Sequence, residues 1–356
     1  MGLSGNKGEW SEIYVLLKLL ADGALPVSDI TLAAIQSKLL PIVRIIRQET
    51  EDEPITFDFT GSHNRQVRVT FVSTNETICI PTSRFRSEAD YLLSSIKQLE
   101  SSGEIPQTER FICELGCKRL KSPSTRKSDI NIVIHDTKAF GDIQLGFSIK
   151  SQVGGQASLV NSSQSTNFLY SVTPCIDRKL REKVNGARLF KEKFKLLADN
   201  NARLKFTKVD SICFTNNLTL VDSLMPNILA GALTIHYSGT TSKTSEIATI
   251  LQSEDPLQYN NPNLNVYAYK LKKFLVESAL GMTPAKMWDG IYDAMGGTII
   301  VKTNGDLIAY SLYDRNLFES YLLQNTHFET PSTRRHKFGK IDEQSILKLN
   351  LQIRFN

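Results

Sequence analysis

The feature that most narrows the fold is a set of stretches whose apolar residues recur at every second position. From Thr56 to Val72 the text TFDFTGSHNRQVRVTFV alternates on both sides of a Gly61-Ser62-His63-Asn64 turn, and Thr77 to Ile80 continues the period. Successive side chains of a strand point to opposite faces, so such text must pair edge to edge with other strands before it can bury one face. The stretch from Ser128 to Ser151, SDINIVIHDTKAFGDIQLGFSIKS, reads as a second pair joined by a polar loop that carries Gly141. In TIIVKTNGDLIAYSL, Asn304-Gly305 is the strongest short hairpin signal in the chain. The closing run alternates too, with Leu347, Leu349, Leu351, Ile353 and Phe355 against Lys348, Asn350, Gln352 and Arg354. A sheet-forming chain is therefore required.

Helical text stands between these strands. Residues 8–21 read as a helix that Gly23 stops, and a second helical stretch runs from about Ser28 to Gln48 with Pro41 interrupting it. Helices are also predicted over 87–102, 177–200 and 267–280, and a strand over Val209 to Thr215. The mixture predicts an α/β or α+β chain. No internal repeat and no linker rich in Pro, Gly or Ser marks a division. A soft boundary near 220 separates residues 1–220 from 221–356.

At 356 residues, with 41% hydrophobic and 22% charged, the chain can bury a large core, which excludes global disorder. A net charge of +5 permits an anionic partner without requiring one. The N-terminus lacks a signal-peptide pattern, and no apolar run approaches the roughly 18 residues that span a bilayer. The chain reads as unexported and cytoplasmic. Five scattered cysteines suit a reducing compartment. Cys113 and Cys117 lack zinc-knuckle spacing and read as buried thiols. The five histidines share no ligand spacing, and no Gly-rich loop ends in Gly-Lys-Ser/Thr, so zinc-dependent, Ser-His and ATP-driven chemistry are unsupported.

The chemistry concentrates in three places. On the first helix, Glu9 and Glu12 share an arc with Ile13, Leu16 and Leu20, so two carboxylates head an inward stripe. An ionised carboxylate there needs a cation, a metal or donors. The alternative is that Glu9 complements the helix dipole while Glu12 lies at the edge of the stripe. Asp129 opens the strand DINIVI, where an acid also serves in turns. Lys150 ends LGFSIK on the face of Gly146 and Ser148, opposite Leu145, Phe147 and Ile149. A strand-end lysine commonly reaches to solvent. Together, however, Asp129 and Lys150 at the ends of adjacent strands, with Glu12 packing across them, make a carboxylate and lysine site. Magnesium prefers hard oxygen ligands and keeps several waters, so one or two carboxylates and a peptide carbonyl suffice to hold it. With a lysine beside it, such an ion suits phosphodiester hydrolysis.

Asp129 followed by Ser148-Ile149-Lys150 resembles the PD-(D/E)xK nuclease signature, and Gly8-Glu9-Trp10-Ser11-Glu12 resembles the GxxxE helix that often accompanies it. Residues 5–23, 127–134 and the text around GFSIKSQVGG and SLVNSSQSTNF are similar to Type II restriction endonucleases of the HpaII family, over most of the chain. Two departures matter. Ser128 replaces the motif's proline, and Ser148 stands where a second acid normally is. The resemblance implies a central mixed sheet flanked by helices, with Asp129 as central metal ligand, Glu12 as the second carboxylate, the Ile149 carbonyl as a further ligand and Lys150 as the catalytic lysine. Glu9 is the reserve ligand, and Gln152 is placed to hold water or phosphate. It also implies Mg²⁺, a bacterial restriction role on double-stranded DNA at a CCGG site, a homodimer matching a palindrome, and a companion methyltransferase.

Cations compatible with DNA surround this text: Lys127 and its neighbours before Asp129, eight lysines and arginines between Arg178 and Lys195, and Arg334, Arg335 and Lys337. Asn161, Gln164 and Asn167 could read base edges or fix a loop. Residues 221–356 would supply recognition or dimer contacts. A structure-specific nuclease, or a DNA-binding protein that has lost catalysis through Ser148, are the competing readings.

Overall fold

The computed structural model describes residues 2–50, 53–60, 65–121, 128–136, 141–292, 294–310 and 315–356. The first part runs through β1 (Ser4–Asn6), α1 (Lys7–Asp22), β2 (Ala24–Ser28), β3 (Ala34–Thr50), β4 (Glu53–Thr60), β5 (Gln66–Phe71), β6 (Glu76–Pro81), α2 (Thr82–Gln98), β7 (Ser102–Glu104), α3 (Pro106–Glu114), β8 (Ile130–Asp136) and β9 (Gly141–Ser151). Next come β10 (Ser158–Val160), β11 (Asn167–Thr173), α4 (Arg178–Gly186), α5 (Phe190–Asp199), β12 (Arg203–Val209), α6 (Ile212–Val221), α7 (Met225–Ser238), α8 (Thr244–Glu254) and α9 (Val266–Leu280). The last part holds β13 (Gly297–Val301), β14 (Leu307–Tyr310), α10 (Arg315–Gln324), β15 (Thr326–Phe328), α11 (Thr333–His336), β16 (Ile346–Asn350) and β17 (Ile353–Phe355).

These elements form two compact units. The first combines Met1–Ala157 with Tyr292–Phe318, and the second combines Ser158–Ile291 with Glu319–Asn356. Position 220, where a boundary is expected from the sequence, lies inside α6, and the chain instead divides after Ala157, Ile291 and Phe318. Two strands from late in the chain, β13 and β14, complete the sheet of the first unit.

That sheet has nine strands in the order β2-β14-β13-β9-β8-β3-β4-β5-β6, and β2 also pairs with β3, so the first six close into a ring. It is mixed: β13 runs parallel to β9 and β14 parallel to β2, and the other neighbours are antiparallel. The closure depends on β3, the stretch expected as a helix. Its first half pairs with β2 and its second half with β4 and β8. The β-branched Ile42, Val43, Ile45 and Ile46 suit a pleated surface, and partners on both edges override the local helical spacing. Pro41, which has no N–H to give, sits where β3 passes from one partner to the others.

Helix α1 agrees with its sequence signals. Asn6 and Glu9 form a reciprocal capping box, and Gly23 ends the helix with φ +69°. Trp10, Ile13, Tyr14, Leu16, Leu17 and Leu20 are buried around nearly its whole circumference, as befits a helix inside the core of the first unit. The Asn304-Gly305 hairpin also forms. Gly305 has φ +97°, its carbonyl accepts from the Tyr14 hydroxyl at 2.5 Å, and a Cβ there would run into Leu93 and the Tyr14 oxygen. Gly305→Ala is expected to cost about 1–3 kcal/mol in urea unfolding, from left-handed strain together with this crowding; an unchanged midpoint would contradict the packing.

Two three-stranded sheets, β12-β11-β16 and β10-β17-β15, organise the second unit. Three expectations change here. The helix predicted over 177–200 breaks at Ala187–Leu189 into α4 and α5. The strand predicted over Val209 to Thr215 ends at Val209, because the Ser211 hydroxyl accepts from the Phe214 N–H and starts α6. The alternating C-terminal run is two strands. Leu351 donates to the Thr166 carbonyl between them, and Asn350 and Gln352, expected on a polar face, are buried. Among the described residues no single helix is long and apolar enough to cross a membrane.

Candidate active site

The β8–β9 hairpin fixes Asp129. Its N–H donates to the Phe147 carbonyl at 2.8 Å, and its Oδ2 accepts from the Ile149 N–H at 2.6 Å. Backbone and side chain are thus both tied to β9, one residue from half-buried Lys150. On the other edge β13 lies parallel, with Lys150 paired to Ile300 and Ser148 to Thr298. The Ser148 hydroxyl is buried and bonded to that of Thr298 at 3.1 Å. The position where the motif carries a second acid therefore serves the join between two strands. Gln152 lies just beyond β9, its N–H still donating to Val301.

Helix α1 is fastened beside this strand end by the Ser11 and Ser151 hydroxyls, 2.8 Å apart. The two acids of α1 then part company. Glu9 is occupied: its Oε2 accepts from the Asn6 N–H at 2.9 Å and its Oε1 pairs with Lys121 at 3.0 Å. The Asn6 bond, aided by Lys121, holds its carboxyl below the usual range. Half-buried Glu12, one turn further in, interacts electrostatically with Lys121 and with Arg47 of β3.

Arg47 belongs to a buried cluster that the sequence reading missed. Its Nε meets Glu49 Oε1 at 2.5 Å and its Nη2 donates to the Arg119 carbonyl at 2.5 Å, while Glu49 Oε2 accepts from the Lys118 N–H at 2.7 Å. Burial works against the Arg47 charge, but the carboxylates of Glu49 and Glu12 help to hold it above the ordinary arginine value. Cys117 is buried in the same cluster, which pushes its thiol up to about 12, whereas Cys113 is exposed. The cluster pins the segment that leads toward Asp129. Its signal was the two-residue spacing of Arg47 and Glu49, one face of a strand, in text read as a helix.

The remaining candidates scatter. Lys127 lies outside the described residues. Asn161, Gln164, Arg334, Arg335 and Lys337 belong to the second unit and are exposed; the two arginines sit on the short α11, and Lys337 follows it with φ +53°. Asn167 is buried, with its Nδ2 donating to the His336 carbonyl and its Oδ1 accepting from Asn350. Both ends of that amide hold the fold, so Asn167 leaves the set of base readers.

A sequence model of HpaII restriction endonucleases matches residues 6–355. The chain belongs to the HpaII restriction endonuclease family. It is 41% identical over 358 aligned residues to the Type II restriction enzyme HpaII of Haemophilus parainfluenzae, across 99% of this chain and 98% of that one. No solved structure matches. Membership in the HpaII family therefore spans both units, including β13 and β14.

The donor set decides which kind of ion the site suits. Among the described residues no three His, Cys, Asp or Glu side chains gather as a zinc centre would need. Glu12, Asp129 and the Ile149 carbonyl are all hard oxygen donors. They fit a divalent ion that keeps several of its waters.

Proposed function

We infer that this chain is a Type II restriction endonuclease that hydrolyses phosphodiester bonds of double-stranded DNA at a short specific site, with CCGG as that site and Mg²⁺ as its ion. The observation that carries the reading is the near-complete match to the HpaII family, joined to an Asp129 clamped one residue from Lys150. Asp129, Glu12 and the Ile149 carbonyl would hold the ion, which when bound acidifies a water and offsets charge on the phosphate. The Ile149 N–H fixes the Asp129 carboxylate, so that donor needs no reorganisation during the reaction. Lys150 presents a cation to the phosphate as negative charge grows there. Arg47 sets the electrostatic surroundings of Glu12, and Gln152 orients water or a phosphate oxygen.

The sheet of the first unit, with its strand-end carboxylate and lysine, acts as the PD-(D/E)xK core. The second unit supplies DNA contacts through Asn161, Gln164, Arg334, Arg335 and Lys337, with Lys127 of the first unit on the phosphate backbone. A homodimer matches a palindromic target, and a companion methyltransferase protects host DNA. Incubation with several plasmids, with and without Mg²⁺, should give discrete fragments only with the ion, and sequenced ends should report the site and stagger. Plasmids left intact, or cut only at branched structures, would overturn the reading. Glu12→Gln should require more Mg²⁺ for the same rate, and an unchanged Mg²⁺ dependence would move the ligand role elsewhere.

A further inference from the structure

Within the second unit, the break between α4 and α5 faces the segment from α11 to β16 across a cavity of about 690 Å³. Its lining includes Arg188, Lys193, Arg334, Lys337, Lys340 and Lys348 against a single acid, Asp342. Lys348 is paired with Asp210 at 2.6 Å. Asp342 accepts from the Gln344 and Ile346 N–H groups and so closes its own turn. Among the described residues, none of the other five cations has a carboxylate partner.

Lys193 is the unusual member. It is only 5% exposed, and its Nζ donates to the last carbonyls of α4, Val184 at 3.0 Å and Asn185 at 3.4 Å. Carbonyl dipoles soften the burial of an ammonium without neutralising it. Burial pushes it below the ordinary lysine value and Lys340 pushes the same way, so two like charges act on each other here. The floor is built: Phe190 and Phe338 stack at 5.8 Å, and Gly339, at φ +84°, brings its backbone where a Cβ would strike Phe190. Apolar walls raise the attraction of such a site for an anion. Five cations without a carboxylate partner, drawn from two segments of the cavity wall, suit a polyanion better than one small ion.

We propose that this cavity seats backbone phosphates of duplex DNA, with Lys193, Lys337 and Lys340 as their counter-charges. The proposal rests on the DNA-cutting function inferred above, gathers Lys193 and Lys337 into one phosphate site and adds Lys340, which the sequence did not single out. Phosphate contacts set register and affinity without reading sequence, and each contributes about 0.9 to the slope of log affinity against log salt.

The test is metal-free binding, across a salt series, to one duplex containing CCGG and one lacking it. Lys337→Gln combined with Lys340→Gln should lower the slope by roughly two and weaken both duplexes alike, by about tenfold at low salt. Exposed Lys205, outside the cavity, is the control, and Lys205→Gln should leave the slope unchanged. Lys193→Met should remove roughly one more unit of slope; where it also loosens the α4 cap and fails to fold, the exposed pair carries the test. Unchanged slopes alongside wild-type plasmid cutting would overturn the phosphate assignment and leave the nuclease intact. A wild type that neither binds nor cuts DNA would overturn both. If inorganic phosphate raises the melting temperature of the wild type but not of the double variant while the slopes stay equal, the ligand is a free phosphate and the proposal falls.

Discussion

Lys150→Ala should reduce single-turnover cleavage by roughly 10²–10³-fold, the usual cost of removing one group aimed at charge that develops in a transition state. Affinity for uncut duplex should barely change, since one half-buried cation among many adds little to binding. The reason lies in the strand. Leu145, Phe147 and Ile149 carry the packing of β9, and the Ile149 N–H holds Asp129 through the backbone, so shortening Lys150 disturbs neither. The melting temperature should stay at the wild-type value. Cleavage within threefold of wild type would remove Lys150 from the site, and weakened binding with normal cleavage of bound DNA would make it a phosphate contact only.

Arg47→Met should cost about 3–5 kcal/mol in urea unfolding, because it leaves the Glu49 carboxylate, 2% exposed, buried without its partner. The variant also drops the bond to the Arg119 carbonyl and the positive neighbour of Glu12. Arg47→Met combined with Glu49→Leu should recover much of the stability, since removing both charges removes the penalty of the one left behind. Cleavage should not recover with it, because the positive charge of Arg47 beside Glu12 and the bonds that anchor Lys118 and Arg119 are still missing. A single variant within about 1 kcal/mol of wild type would show that the pair is not the buried unit described here.

The parts legible in the sequence are those whose signals are local. Helix α1 carried both of its caps in the text, Asn304-Gly305 named its own turn, and the β8–β9 hairpin followed from alternation. Asp129 and Lys150 came with it, because strand ends of one hairpin are neighbours by construction. What stayed hidden depends on partners far along the chain. β3 looks helical until β2, β4 and β8 line its edges, and with it went Arg47 and Glu49. A division near 220 was natural for a chain read in order, yet the first unit takes back residues 292–318. Asn167 has the composition of a base reader and the surroundings of a core amide. The basic cavity draws its residues from two segments some 140 positions apart, which no window along the sequence joins.

The parallel pairing of β9 with β13 has a consequence for synthesis. Strand β9 is complete once residue 151 has been made, but its second edge, and the Thr298 hydroxyl that meets Ser148, arrive only after the whole of Ser158–Ile291 has followed. A chain interrupted anywhere in that span carries Asp129 and Lys150 at the end of the β8–β9 hairpin, and Glu12 on α1, beside a sheet with an open side and an unclosed ring. The sheet of the first unit is complete only after β13 and β14 have followed most of the second unit. The order of the strands therefore leaves a truncated copy without the closed sheet.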